Sequence, residues 1–295
     1  MRVLLGVDDA GLYRPALSLL ARMDFEQGQL TLAHSVDVLY PVPMYGVAEA
    51  TVGVDFVENL NRIGEESLRL ASDAACAYGI RAETVLLAGA PGPALVDYAD
   101  RTCCDVIAIH SDRKSDLGAM FLGSVARGLT IGAHQSILIS KGSVAPTGPL
   151  TAVFATDHSP YAERALDKLI EMNPTGVRKL HVVSAACTRE VGAALARNGP
   201  GGNPATREWI EAQLRRKNAE AVGRLEEAGF QASSSVLAAT PQAAIKEAMA
   251  SVEADLLVLG AQGHGFVHRL FIGSTSLHQV VAEPWSVFVI RPPKT

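Results

Sequence analysis

The chain is written twice. Residues 79–91 read GIRAETVLLAGAP and residues 229–241 read GFQASSSVLAATP, and the 150-residue displacement holds without a gap to the end of both copies. Asp105 falls on Asp255, Phe121 on Phe271, Gly123 on Gly273, Ser124 on Ser274 and Ser136 on Ser286. At the start, LLGVDD with Asp8 matches VFATDH with Asp157 at a displacement of 149, and Ala16-Leu17 match Ala165-Leu166 in that frame. A duplication asks for two similar units rather than one large one, because each copy must bury its own apolar faces. The connector GSVAPTGPL, rich in Gly, Ser and Pro, separates them. The expected domains are 1–142 and 150–295.

Each copy alternates short apolar runs with amphipathic stretches. In the first, strands are expected at 2–7, 29–36, 82–88, 105–109 and 136–140, with helices at about 12–23, 55–78, 93–101 and 123–133. The runs are continuously apolar, as in strands buried on both faces, and parallel strands need a helical crossover between them. The second copy repeats the order with strands at 152–156, 180–184, 234–238, 256–259 and 287–290 and helices at 161–171 and 207–228. The fold class is therefore α/β, two tandem doubly wound parallel-sheet domains. The second copy alone carries NGPGGNPAT at 198–206, with Trp209 just beyond. It reads either as an exposed loop or as a lid near the site.

Composition narrows the function. Apolar residues are 48% of the chain, charged residues 19%, and the formal net charge is −5. That balance builds a core and offers no basic field for nucleic acid or an anionic membrane. Apolar stretches fall short of the roughly 18 residues that span a bilayer. Cys76, Cys103, Cys104 and Cys187 show neither zinc-ligand spacing nor a secreted framework, so a cytoplasmic location with free thiols is expected.

The chemistry-bearing segment is the loop after the fourth strand of the second copy, AQGHGFVHRLFIGSTS. Small residues beyond the carboxyl end of a parallel strand let backbone amides approach an anion, and Gly273, Ser274 and Thr275 open a helix whose N-terminus favours negative charge. The pattern is neither a P-loop, since no Lys follows the last Gly, nor the dinucleotide fingerprint. By spacing alone it could also be a tight turn. Spacing justifies no Ser–His–Asp set and no paired carboxylates. In the first copy His110 and Arg113 replace the first two glycines, while Gly123, Ser124 and Asp8 remain.

Gly260-x2-Gly263-x9-Gly273-Ser274, with the Asp157-x-Ser159 opening, resembles the ATP-binding signature of the universal stress proteins. The similarity covers nearly the whole chain, and the two-copy arrangement is similar to their tandem bacterial members. It implies an adenine-nucleotide-hydrolase-like, Rossmann-like fold that binds ATP, with Mg²⁺ as the nucleotide's companion. Carried over, Asp157 contacts adenine, and Val183, Ser184 and Ala185 flank base and ribose. Gly260 and Gly263 line ribose and phosphates, with Gly265 a further binding candidate in the same loop, while Gly273 and Ser274 hold the phosphates with Thr275 beside them. Arg269 either pairs with a phosphate or is a solvated charge, and His264 and His268 sit in the same loop. The first site, at Asp8, His110, Arg113, Gly123 and Ser124, is expected to be weakened or lost for ATP, or turned to another anion. Relatives pair their last strand across a dimer. The resemblance therefore implies an internal pseudo-dimer of the two copies, and an association of two chains through similar edges. The role implied is stress response or signalling through nucleotide-dependent conformation or assembly. Enzymatic nucleotidyl transfer or slow ATP hydrolysis, and a ligand-free structural role, are the alternatives.

Overall fold

A computed structural model of the chain describes residues 1–25, 28–37, 51–111, 123–142, 147–186, 204–262 and 272–292. Two compact units result, Met1–Ala21 with Gln27–Pro146, and Arg22–Glu26 with Thr147–Thr295. The first contains β1 (Arg2–Gly6), α1 (Arg14–Met23), β2 (Gln29–Val36), α2 (Thr51–Ala77), β3 (Ala82–Ala88), α3 (Pro91–Arg101), β4 (Val106–His110), α4 (Ser124–Gly132) and β5 (Ser136–Ser140). The second contains β6 (Leu150–Ala155), α5 (Pro160–Met172), β7 (Val177–Ala185), α6 (Pro204–Glu227), β8 (Gln231–Leu237), α7 (Pro241–Ser251), β9 (Leu256–Gly260), α8 (Ser274–Ala282) and β10 (Ser286–Ile290).

Within the first unit the strands run β3-β2-β1-β4-β5, and within the second β8-β7-β6-β9-β10, all neighbours parallel. Every parallel step is bridged by a helix, which is the doubly wound α/β arrangement expected from the alternation. The order reverses between β1 and β4, and again between β6 and β9. At such a switch point neighbouring crossovers lie on opposite faces and leave a crevice beyond the carboxyl ends of the strands. Composition follows position. β5, β9 and β10 are buried at every residue, whereas β3 and β8, at the opposite edge of each unit's sheet from β5 and β10, expose much of theirs.

The repeat is visible in small devices as well as in topology. Asp105 Oδ2 accepts from the Arg2 amide at 2.9 Å, and Asp255 Oδ2 accepts from the Thr151 amide at 2.9 Å. These matched aspartates therefore anchor the entry of each first strand and belong to the fold. α2 ends at Gly79 (φ +75°) and α6 at Gly229 (φ +92°), a backbone that costs residues with a Cβ about 1–2 kcal/mol. In both, the next amide reaches back five residues, Ile80 to Ala75 O and Phe230 to Leu225 O, each at 3.0 Å.

One helix goes beyond the segments expected from the sequence. α7 begins at the N-cap Thr240, whose Oγ1 accepts from the Ala243 amide, with Pro241 as first helical residue. It buries Ala244, Ile245, Ala248 and Met249, a narrow stripe in which the two alanines weaken the apolar signal. The 198–206 insertion lies mostly outside the described residues, its last three forming the start of α6, and Trp209 on that helix is exposed.

Candidate functional site

In the second unit β6 runs out at Ala155, and Thr156 continues the sheet by donating its amide to Val183 O at 3.0 Å. The chain then turns through Asp157 and His158 into α5. Ser159 is the N-cap, accepting from the Ala162 amide at 3.2 Å, and Asp157 Oδ1 accepts from the Ser159 amide at 3.0 Å. That turn holds the half-buried Asp157 carboxylate at the carboxyl edge of β6, beside the end of β7 where Val183, Ser184 and Ala185 lie.

β9 ends at Gly260. A Cβ there would come within 3.2–3.3 Å of the Tyr161 ring and 3.4 Å of Gln262 O. Tyr161 on α5 thus fills the space that a side chain at 260 would need, so this glycine has a packing reason independent of any ligand. Burial raises the Tyr161 phenol pKa, against the opposing charges of Arg291 and Arg164. Burial likewise lowers the Arg291 pKa. These arginines add cationic character near the end of β9, and the loop motif gave no sign of them.

Beyond Gly260 the Ala261 amide donates to Ile290 O at 3.1 Å, and the Gly273 amide donates to Ala261 O at 2.7 Å. Gly273 is therefore pinned to the strand end as the N-cap of α8 (φ −62°, ψ 151°), with Ser274 exposed and Thr275 half-buried in its first turn. Ser276 donates its hydroxyl to Gly260 O at 2.8 Å, tying helix to strand. First-turn amides of a helix lack intrahelical acceptors, so small residues held this way form an anion cradle. Gly263, Gly265 and Arg269, with His264 and His268, lie outside the described residues.

Just behind Asp157 the structure assembles a group that spacing did not reveal. His158 adopts φ 54° and turns its ring inward, where the side chain is 1% exposed. Its Nδ1 lies 3.1 Å from Glu163 Oε1, its Nε2 2.8 Å from Asn218 Oδ1 and 3.2 Å from Ser184 Oγ. Ser184, His158 and Glu163 thus have the connectivity of a hydrolase triad, but the hydrogen bonds assign a different role. Asn218 donates Nδ2 to Ser235 O at 2.9 Å, which fixes the amide and leaves Oδ1 as acceptor for Ser184 Oγ at 2.7 Å and for His158 Nε2. The serine proton is committed to an amide oxygen, and Ser184 is 1% exposed. This is a locked polar core under the site, not a nucleophile. Arg224 continues it outward to Glu163 at 3.0 Å and to Asp167.

The first unit has a cavity of about 420 Å³ at the corresponding crevice. Asp8, Asp9, Asp37, His34 and His110 line it, together with Leu60 and Ile63 of α2 and Leu95 of α3. Asp8 Oδ1 accepts from the Leu12 amide at 2.9 Å, and His34 donates Nδ1–H to Val7 O at 2.9 Å. Gly123 and Ser124 open α4, whose next residue Val125 reaches the cavity; a Cβ at Gly123 would meet open space. Arg113 lies outside the described residues. Among the described residues no His, Cys, Asp and Glu group has the geometry of a metal site, and no helix is long and apolar enough to cross a membrane.

Residues 1–141 and 151–291 each match the universal stress protein family. The chain belongs to that family, twice over. A universal stress protein of Methanocaldococcus jannaschii is 31% identical over 84 residues, which are 28% of this chain and 49% of that protein. The match thus spans about half the length of that relative. The solved structure of a universal stress protein from Archaeoglobus fulgidus superposes with a TM-score of 0.70 at 20% identity, covering 99% of this chain and 98% of the other. A Pseudomonas aeruginosa protein of unknown function superposes at 0.58, with 17% identity, 99% of this chain and 92% of the other. Those two likenesses concern the fold. In this universal stress protein the two crevices share a topology and carry different side chains.

Proposed function

We propose that this tandem universal stress protein binds one adenine nucleotide per chain, in the second unit, and acts in stress response or signalling through the conformation or assembly that the nucleotide favours. The observation that carries the reading is the pinned start of α8, Gly273-Ser274-Thr275, at the switch point between β6 and β9 and on the same sheet edge as Asp157. Amides of Ser274 and Thr275, the glycines Gly260, Gly263 and Gly265, and Arg269 would hold ribose and phosphates. Asp157 and the β7 end at Val183, Ser184 and Ala185 would hold the base. A Mg²⁺ ion would arrive with the phosphates and keep much of its water. With domains at 1–142 and 150–295, the second, which carries the intact glycine motif, would be the nucleotide-binding one. In the first, His110 stands where Gly260 stands in the second, and carboxylates surround the crevice.

Calorimetric titration of nucleotide-stripped protein with Mg·ATP tests this. One site per chain is expected, abolished by Gly273→Ala and unchanged by Gly123→Ala. Gly123→Ala is a sound control, since φ is −54° and its Cβ meets nothing within 4 Å. Two equivalent sites, or binding indifferent to Gly273→Ala in a variant that still melts cooperatively, would sink the reading.

A further inference from the structure

A buried polar cluster lies directly under the strand ends that border the second crevice. We propose, resting on the nucleotide reading above, that His158 and Asn218 are positioning residues for the adenine end of that site. Both are too deeply buried to touch a nucleotide; they hold the Asp157 turn and the end of β7 in fixed relation to each other.

Three strand ends converge on one amide side chain. His158 donates its backbone N–H to Thr156 Oγ1 at 2.9 Å and adopts φ 54°, which turns the ring under the strand ends. The ring nitrogen Nε2 lies 2.8 Å from Asn218 Oδ1 and 3.2 Å from Ser184 Oγ, and Ser184 donates to the same Oδ1 at 2.7 Å. Asn218 Nδ2 donates onward to Ser235 O of β8 at 2.9 Å. At the same level the Thr156 amide donates to Val183 O at 3.0 Å and the Ala186 amide to Leu237 O at 2.7 Å, carrying β6 and β7 one residue past their ends. One residue of α6 thereby ties β6, β7 and β8 together at the edge where Asp157, Val183 and Ala185 stand. The His158 side chain is 1% exposed and Asn218 0%, so their effect on a ligand passes through the backbone they hold.

The fold itself does not require this cluster. At displacements of 149 and 150 the first copy has Asp9, Arg14, His34 and Leu68 where the second has His158, Glu163, Ser184 and Asn218. Its strands nevertheless run in the matching order, and its Val7 amide donates to Ala33 O at 2.8 Å as Thr156 does to Val183 O. The polar cluster thus accompanies the copy that keeps Gly260 and Gly263, and is missing from the copy with His110 and Arg113 in their place. Burying polar groups is costly unless each is bonded, and what a fully bonded set adds over hydrocarbon is one defined geometry. A subsite that reads a flat base by short polar contacts needs its walls held to about 0.5 Å. The phosphate end is held separately. Gly273 is pinned to Ala261 O and Ser276 to Gly260 O, and neither bond involves the cluster.

Titration of the nucleotide-stripped full-length chain with Mg·ATP, Mg·GTP and, by competition, inorganic tripolyphosphate tests this. Asn218→Leu and Ser184→Ala should each weaken ATP about three- to tenfold, the equivalent of one hydrogen bond. The preference for ATP over GTP should shrink with it, while the affinity for tripolyphosphate stays unchanged. Ser184→Ala, the milder change, settles the matter if Asn218→Leu does not fold. Met249→Ala, a core truncation at the end of α7 that leads into β9, destabilises the same unit at the opposite sheet edge and should leave all three affinities as they are. The proposal is overturned if ATP binds the folded cluster variants as tightly as the unaltered chain. It is equally overturned if Met249→Ala weakens ATP as much, or if ATP and tripolyphosphate weaken in parallel, since the cluster would then only stabilise the unit. Failure of the nucleotide reading looks different: the unaltered chain would bind no ATP, or ATP and GTP alike, and this proposal would fall with it.

Discussion

Replacing Asn218 by leucine is the most informative single perturbation, because the duplication supplies its own control. At the 150-residue displacement Asn218 corresponds to Leu68, and both are buried, at 0% and 5% exposure. In the first unit the position is filled by hydrocarbon; in the second it carries three hydrogen bonds, from Ser184, from His158 and to Ser235 O. Leucine there would take the Asn218 donor from the half-buried Ser235 carbonyl, at about 1 kcal/mol. Ser184 Oγ and His158 Nε2 already lie 3.2 Å apart and can turn to one another, so their loss is partial. The expected destabilisation is about 2–4 kcal/mol in total. For a unit of this size that lowers Tm by roughly 5–15 °C.

The assay is also built in. The chain has two tryptophans, Trp209 and Trp285, both in the second unit, so tryptophan fluorescence during urea unfolding follows that unit. A double-mutant cycle with Ser184→Ala should be non-additive by about 1 kcal/mol, since the two side chains share one hydrogen bond. A loss below about 1 kcal/mol for Asn218→Leu, or strict additivity in the cycle, would refute the claim that these four residues act as a unit.

Other outcomes follow from single observations. Leu68→Asn, the reciprocal exchange, places an amide in an apolar setting and should cost the first unit about 2–4 kcal/mol, read by far-UV circular dichroism. Gly260→Ala should cost about 1 kcal/mol, because its Cβ presses on the Tyr161 ring at 3.2 Å, whereas Gly123→Ala should leave Tm unchanged. Burial lowers the pKa of His181, whose ring nitrogens each lie 2.8 Å from a hydroxyl, Ser233 and Ser235. The unfolded chain therefore takes up that proton first as pH falls, so stability should drop from about pH 6.5 downward. His181→Gln should flatten that decline in urea midpoint; an equally steep decline in the variant would show that other groups cause it.

What the sequence made legible is what local chemistry dictates. Continuous apolar runs announced β5, β9 and β10, and the stretches 55–78 and 207–228 announced two long helices, which the structure closes just before Gly79 and Gly229 at positive φ. The duplication announced the topology, because a repeat of helix-linked strands admits few arrangements. Tertiary closeness was not legible. Asn218 lies 34 residues from Ser184 and 60 from His158, and nothing local to an α6 asparagine says that its amide points under a strand end. A buried polar residue opposite Leu68 in the repeat was the available signal. The roles of Asp105 and Asp255 were equally hidden: the repeat pairs them, and only the structure shows each one anchoring a strand entry.

The same comparison bears on how one fold came to present two crevices. In the second unit the residue after the strand-end aspartate is His158, turned inward at φ 54° and held by Asn218, so this position adds no carboxylate to the mouth beside Asp157. In the first unit the corresponding residue is Asp9, exposed at the rim, and the core position beneath is Leu68. A histidine facing Leu68 would be buried without a partner, whereas an aspartate facing solvent needs none. The two positions are therefore coupled: asparagine on the helix permits an inward histidine and a less acidic mouth, and leucine requires an outward polar residue. Asp9→His alone should therefore leave its ring outside, and Asp9→His with Leu68→Asn should draw it in. The imidazole proton resonances read the difference directly. A ring that stays solvent-exposed in the double variant would break the coupling.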